Sequence, residues 1–374
     1  MTERQTRVLF VGAFPEPTSP IVGGMVTSCR ILLASSLPRR LELELFDSTQ
    51  ISNPPPRFAV RLARAAARCL RFARRFEKNP PQVVWLFVAD GASVVEKGAM
   101  AWYARLRGVP AIMFPRAGSV VDAARRSRFS RTAIRWCFRG AARIVCQSDA
   151  WRTFAVQTLG FEAHEVAVIR NWTATADLLR IGAERSAADT ATVRMVFVGW
   201  LERDKGVFDL IEACRTLAAT RRFTLDLVGD GRAAEQAREL VARYDLQAQV
   251  RFRGWLQQTQ LHQILSESQV LVLPSWAEGL PNAMIEAMAA RLAIVASTVG
   301  AIPEVIIDRQ DGLLVAPRDP AALARALGEV IDDPDLRAAL AAEAFRIANA
   351  EFGVERAVER LVAEVEELVG RGAR

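Results

Sequence analysis

The sequence predicts an α/β protein of two Rossmann-like domains, each with a parallel sheet, facing each other across a cleft. Short apolar runs alternate with helical segments along the chain, the pattern of doubly wound parallel sheets. The alternation pauses at a polar, Ala-rich stretch without clear periodicity, residues 176–191, and then restarts. The charge also changes sign: residues 1–175 carry 26 Lys and Arg against 12 Asp and Glu, whereas residues 176–374 carry 23 against 30. We therefore expect an N-terminal domain over 1–178, a linker at 176–191 and a C-terminal domain over 192–353. Residues 354–374 are expected as a helix packing back toward the N-terminal domain.

With 374 residues, 51% of them hydrophobic, the chain can bury a substantial core. Cys29, Cys69, Cys137, Cys146 and Cys214 form no C-x-x-C pair, and no apolar leader opens the sequence. A reducing cytoplasm is the expected compartment. No run approaches the roughly 20 apolar residues that cross a bilayer. His164 and His262 are the only histidines, which argues against a histidine-built metal site; neither metal nor cofactor is expected.

In chain order, Arg7–Ala13 reads as a buried strand, followed by a Pro-rich loop in which Gly23 and Gly24 open a helix. A glycine pair at a helix start lets backbone N–H groups approach an anion, although a plain turn reads equally well. Leu41–Phe46, Val83–Val88, Pro110–Phe114, Ala142–Gln147 and Val166–Ile169 are the next strands. Arg116 follows Phe114-Pro115 at a strand's carboxyl end, where open α/β sheets bind ligands. Arg57, Arg61, Arg64, Arg68, Arg71 and Arg75 step by four and three along one helix, so they share a face. A basic amphipathic helix of this kind suits an anionic membrane surface. The arginines would also fit nucleic acid, but tyrosine is scarce and no nucleic-acid module is visible.

The second half repeats the pattern with strands at Arg194–Val198, Phe223–Val228, Val250–Phe252, Val270–Leu273, Ala293–Ala296 and Gly312–Val315. The loops after them emerge on one sheet edge, so they can converge on one ligand. Gly199 to Gly206 hold Trp200, Arg203 and Lys205; Gly229-Asp230-Gly231 forms a tight turn; Gly254 and Trp255 close another. Ser275–Glu286 turns from strand to helix through Glu278, Gly279, Leu280, Pro281 and Asn282. Pro281 suits a first helical turn, and the positive helix end suits a phosphate. A lysine, several glycines and a helix N-terminus describe a diphosphate site, and Glu286 on the helix a clamp for ribose hydroxyls. Asp333-Pro334-Asp335 sits between two helices and reads as a cap.

This ordered set resembles the family 4 glycosyltransferases of the GT-B fold. It is carried by Gly199-Trp200-Leu201 with Lys205-Gly206, by Val228–Gly231 and by Glu278–Glu286 running into Ala287-Met288-Ala289. Gly300–Glu304 and Asp311–Val315 complete it. The resemblance implies retaining transfer from a nucleotide-sugar. Lys205 would neutralise the leaving β-phosphate, and Glu278 with the backbone of Gly279–Asn282 would hold sugar and diphosphate. Glu286 would take the ribose, and residues near Arg253-Gly254-Trp255 the base. Three positions depart from the family pattern: Trp200 for an arginine, Arg116 where many members carry a histidine, and Arg291 for a glycine. Arg203 stands near enough in sequence to replace the missing arginine. We expect an enzyme at the inner membrane face that extends a lipid-linked or polysaccharide acceptor. The alternatives are a nucleotide-sugar-binding protein without catalysis and a GT-B epimerase.

Overall fold

The computed structural model of the chain describes residues 5–15, 23–49, 58–89, 91–185 and 192–372. It divides into two compact units, Met1–Asn171 with Val354–Arg374, and Trp172–Gly353. The strands of the first are β1 (Thr6–Gly12), β2 (Leu41–Asp47), β3 (Val83–Val88), β4 (Ala111–Pro115), β5 (Arg143–Cys146) and β6 (Val166–Val168). Those of the second are β7 (Val193–Val198), β8 (Phe223–Val228), β9 (Val250–Gly254), β10 (Val270–Leu273), β11 (Ala293–Ser297) and β12 (Leu313–Val315). Each set forms one sheet, in the orders β2-β1-β3-β4-β5-β6 and β12-β11-β10-β7-β8-β9. Neighbouring strands are parallel throughout. Both sheets are helix-covered on both faces, so central strands such as Val83–Val88 and Val270–Leu273 bury every residue. The edge strand Leu41–Asp47 instead alternates Leu and Glu.

The expected linker is replaced, over Ala176–Glu184, by a helix. Thr175 caps it by accepting from the Leu178 N–H, and Leu178 joins Met284, Ile285 and Met288 in a core cluster of the second unit. The boundary accordingly falls at Asn171/Trp172, and residues 172–178 belong to the second unit rather than the first. Just past this helix, Arg185 donates to the carbonyls of Ala290 (2.9 Å), Ser268 (2.7 Å) and Leu265 (2.6 Å). One guanidinium thus closes the ends of helices Gln258–Glu267 and Asn282–Ala289. Burial pulls its pKa down to about 10, so it stays charged at neutral pH. Residues 186–191 lie outside the described residues.

Helix Val354–Gly372 belongs to the first unit. Its Glu364 and Glu367 take the buried Arg143 guanidinium, with Arg143 Nη1 2.9 Å from Glu367 Oε2. Glu355 accepts from the Ser36 N–H at 3.1 Å.

The arginine stripe is divided by the structure. Within helix Phe58–Lys78, Phe72 and Phe76 face the core, and Arg68 lies on the edge of that face. Arg68 forms a two-point pair with the buried Glu96, Nε to Oε1 at 2.6 Å and Nη2 to Oε2 at 2.7 Å. Lys97, also buried, sits 3.5 Å from the same carboxylate, and desolvation lowers its pKa. Arg75 pairs with Glu44. Arg68 therefore holds the fold together, and Arg75, though exposed, is already paired with a carboxylate. Arg64, Arg71 and Arg74 are exposed and have no carboxylate partner among the described residues. Arg57 and the Arg61 side chain lie outside the described residues. Arg68→Glu, which places two carboxylates together in a buried position, is expected to destabilise the protein by roughly 3–5 kcal/mol in urea unfolding. Arg71→Glu should change stability by no more than about 0.5 kcal/mol.

Candidate active site

The loops at the carboxyl edge of the second sheet are drawn together by glycines. A Cβ on Gly206, at φ 70°, would lie 2.0 Å from the Pro274 carbonyl oxygen, which locks the loop after β7 against the loop after β10. A Cβ on Gly300, at φ 58°, would lie 2.2 Å from the Glu278 backbone carbonyl oxygen, which does the same for the loop after β11. Main-chain bonds complete the assembly: Gly199 N–H to Val228 O, Leu201 N–H to Asp230 O, Gly229 N–H to Gly254 O and Ala301 N–H to Gly279 O. Gly199, Asp230, Gly231, Gly254 and Gly279 are thus brought to one edge.

Lys205 and Glu278 meet there. Lys205 Nζ donates to Glu278 Oε1 at 2.7 Å, and Ser275 Oγ donates to the same oxygen at 2.8 Å. Ser275 is fully buried, while Lys205 and Glu278 are partly so. Trp276 ties down the loop carrying Lys205 and the helix that follows it: its backbone N–H donates to Asp204 O at 2.8 Å, and its indole Nε1 donates to Asp209 Oδ2, on helix Val207–Ala218, at 2.7 Å. The Arg318 guanidinium lies 4.5 Å and the Arg203 guanidinium 5.9 Å from the Trp276 ring centroid. Ser275, Trp276 and Asp209 were not read as site residues from the sequence. Their signal was adjacency alone, Ser275 standing three residues before Glu278.

The helix after this loop begins at Asn282, so Pro281 is its N-cap and lies just outside the first turn in which it was expected. The N-cap residue Pro281 makes no side-chain cap hydrogen bond. Glu286 lies in its second turn and is only 8% exposed; among the described residues its carboxylate has no protein hydrogen-bond partner. Desolvation raises its pKa to about 7. Beyond the helix Arg291 adopts φ 59°, the left-handed region that favours glycine, so a glycine would suit this position and the arginine holds it at some backbone strain.

Trp200 and Trp255, from the loops after β7 and β9, pack edge to face with ring centroids 4.6 Å apart. Arg253 Nε donates to Asp226 Oδ1 at 2.5 Å, below this aromatic pair in the sequence order of β9. Asp333 caps helix Pro334–Glu351 by accepting from the Leu336 N–H at 2.9 Å. Among the described residues, no three His, Cys, Asp or Glu side chains gather to hold a metal ion.

Gly23, Gly24 and Arg116 lie in the first unit. Gly23, at φ 144°, precedes helix Gly24–Ala34, and Arg116 Nη2 donates to Ser28 Oγ on that helix at 2.8 Å. With the Gln147 amide turned to satisfy both groups, its oxygen accepts from Arg116 Nε (2.9 Å) and Nη1 (3.2 Å). The guanidinium also lies 5.6 Å from the Phe87 ring centroid. Burial lowers its pKa to about 10, so the group remains a cation and a donor at neutral pH. The helix after β1, strand β3 and the loops after β4 and β5 therefore meet at Arg116.

Comparison with known proteins settles the class. Residues 183–346 match the family model of glycosyl transferases group 1, and residues 10–172 that of the glycosyl transferase 4-like domain. The chain belongs to the group 1 glycosyltransferases. This glycosyltransferase is 32% identical over 200 residues to the glycogen synthase of Mycobacterium tuberculosis, covering 53% of the chain and 48% of that enzyme. The chain thus spans about half the length of that relative. It is 29% identical over 331 residues to 2-deoxystreptamine glucosyltransferase of Streptomyces kanamyceticus, covering 83% of each. Among solved structures, the glycosyltransferase matches sucrose-phosphate synthase from Thermosynechococcus elongatus with a TM-score of 0.77 at 20% identity, over 98% of this chain and 100% of that one. Anabaena Alr3699/HepE in complex with UDP and glucose gives 0.72 at 19% identity, over 97% and 100%. The fold of the glycosyltransferase is GT-B.

Proposed function

We propose that this group 1 glycosyltransferase moves a sugar, with retention of anomeric configuration, from a UDP- or GDP-sugar to a lipid-linked or polysaccharide acceptor. The observation that carries the reading is the contact of Lys205 with Glu278 at a glycine-packed loop edge, beside the start of the helix bearing Glu286. When the bond from the anomeric carbon to the phosphate oxygen breaks, its electron pair leaves with the diphosphate. The Lys205 ammonium and the helix N–H groups stabilise that charge. The acceptor oxygen bonds the same carbon and its proton passes to the departing phosphate oxygen. Glu278 holds the sugar, Glu286 accepts from the ribose hydroxyls, and Trp200 with Trp255 offers the base an aromatic wall. The crystallised complexes of Anabaena Alr3699/HepE with UDP, with UDP and glucose, and with UDP-glucose support a nucleotide-sugar donor for this fold. The exposed Arg64, Arg71 and Arg74 support an anionic membrane surface as the working location.

Thermal unfolding against a panel of nucleoside diphosphates and their sugars tests the donor. At one hundred times its dissociation constant the correct ligand should stabilise the protein by about 2.7 kcal/mol, and Lys205→Ala should lose most of that gain. If no nucleotide or nucleotide-sugar raises the unfolding temperature, the donor assignment fails. Stabilisation without release of nucleoside diphosphate in the presence of glycan acceptors would favour a binding protein instead.

A further inference from the structure

Three neighbouring helices of the first unit turn apolar ridges outward. Helix Ala92–Leu106 packs between helix Phe58–Lys78 and helix Arg128–Phe138. The second of these contacts is close, since a Cβ on Gly98 would fall 2.6 Å from the Cys137 Cβ. Amphipathic helices on a sheet normally present charge to water, as helix Val354–Gly372 does with Glu355, Glu359, Arg360 and Glu366. These three do not. Val60, Ala63, Ala67 and Leu70 form the outward ridge of the first, with Leu70 61% exposed. Val95, Ala99, Trp102 and Leu106 form that of the second, with Val95 61% and Leu106 81% exposed. Phe129, Ala133 and Trp136 form that of the third, with Phe129 84% and Trp136 60% exposed. Spacings of three and four place each set on one helix face. The second and third ridges join through Trp102 and Trp136, whose rings stack with centroids 5.6 Å apart while Trp102 Nε1 donates to the Trp136 carbonyl at 2.8 Å.

Cations flank all three ridges. Arg64, Arg71 and Arg74 lie beside the first, Arg105 beside the second, and Arg125, Arg126, Arg128 and Arg131 beside or just before the third. Helix Arg128–Phe138 contains three arginines and no acidic residue. On helix Ala92–Leu106 the acid, Glu96, is buried beneath the ridge in its pair with Arg68. Exposed indole, phenyl and leucine side chains bordered by unopposed guanidinium groups match one environment, the headgroup layer of an anionic bilayer.

We propose that this three-helix face is the membrane seat of the protein, with Phe129, Trp136 and Leu106 entering the headgroup–acyl boundary and the flanking arginines binding anionic headgroups. The inference rests on the membrane location advanced above and changes its centre, from a charged stripe on one helix to an apolar platform of three. Charge gives reach and salt sensitivity; buried apolar area gives binding that salt does not release.

Flotation of the full chain with phosphatidylcholine vesicles, with and without phosphatidylglycerol, tests it. The wild type is expected to float with the anionic vesicles and to keep part of that binding at raised salt. Phe129→Ser combined with Trp136→Ser should reduce partition at least about tenfold and remove the salt-resistant part. Leu106→Ser is a second variant with a smaller loss, and circular dichroism confirms that each remains folded. Arg64→Glu with Arg71→Glu and Arg74→Glu should remove the salt-sensitive part only. If the Phe129/Trp136 variant floats like the wild type at raised salt, the apolar seat is wrong while the membrane location stands. If the wild type floats with no vesicle, both are wrong, and the nucleotide-sugar reading is untouched. Dimerisation of the wild type that the same variant abolishes, without flotation, would overturn the proposal in favour of self-association.

Discussion

Lys205→Ala is expected to lower the turnover of nucleotide-sugar by roughly 10³-fold while the protein remains folded. The lysine is the cation found next to Glu278, with its amine 2.7 Å from that carboxylate in the ligand-free state. A donor diphosphate entering this edge exchanges one anionic partner for another, so the ammonium is already in place when charge builds on the leaving group. Removing one such donor from a preorganised site typically costs two to three orders of magnitude in rate, or about 3–4 kcal/mol. The effect on stability should be only about 1–2 kcal/mol, because Ser275 Oγ still donates to Glu278. Lys205→Arg should restore little, since a planar fork does not reproduce a point charge at this distance. Turnover in Lys205→Ala within about tenfold of wild type would remove the lysine from the chemistry.

Glu286→Gln is expected to do two opposite things. In the ligand-free protein the carboxyl is buried with a pKa of about 7, against 4.5 for an ordinary glutamate. Between those values the folded chain keeps a proton that the unfolded chain has released, so this residue's stability is full below about pH 4.5 and is lost as pH rises through 7. The loss amounts to roughly 3 kcal/mol at pH 8. The neutral amide escapes it, and Glu286→Gln should be more stable than wild type by up to about that amount at pH 8 and equal to it near pH 4.5. Nucleotide binding should move the other way, weakening about tenfold or more because ribose hydroxyls donate best to a charged acceptor. Wild-type affinity should rise between pH 6 and 8, approximately across the titration of this group, and the variant's should stay flat. Urea unfolding and calorimetric titration at several pH values read both effects. Equal stabilities at both ends of the range would show that Glu286 is not desolvated in solution.

Most of the fold was legible because its signals are local. Runs such as Val83–Val88 and Val270–Leu273 are apolar without a break, which a strand buried on both faces requires. The turn from Glu278 to Glu286 was legible for the same reason, being one contiguous stretch between a strand and a helix. What escaped was settled by partners distant in sequence. Spacing placed Arg68 with the other arginines, but a carboxylate 28 positions away decides which way it faces. The stretch around Leu178 looked like a linker because its helix is stabilised by the core helix Asn282–Ala289 rather than by its own pattern. Arg185 showed no motif at all, since its three acceptors are backbone carbonyls. The outward ridges were hidden in another way: Val95, Trp102 and Leu106 carry helical spacing, and spacing alone does not say which face of a helix meets the sheet.

The division of the chain bears on its birth at the ribosome. Trp172–Gly353 is continuous, whereas the other unit needs Val354–Arg374 as well as Met1–Asn171. Leu361, Val362 and Val365 on the closing helix are buried, and Arg143 finds its carboxylates only there. The unit translated first is therefore completed last. While the second unit emerges and can fold, the first waits with an uncovered sheet face and an unneutralised arginine. A released chain truncated after Gly353 should show a protease-resistant second unit and a cleavable first one, and extending it through helix Val354–Gly372 should make the first resistant as well.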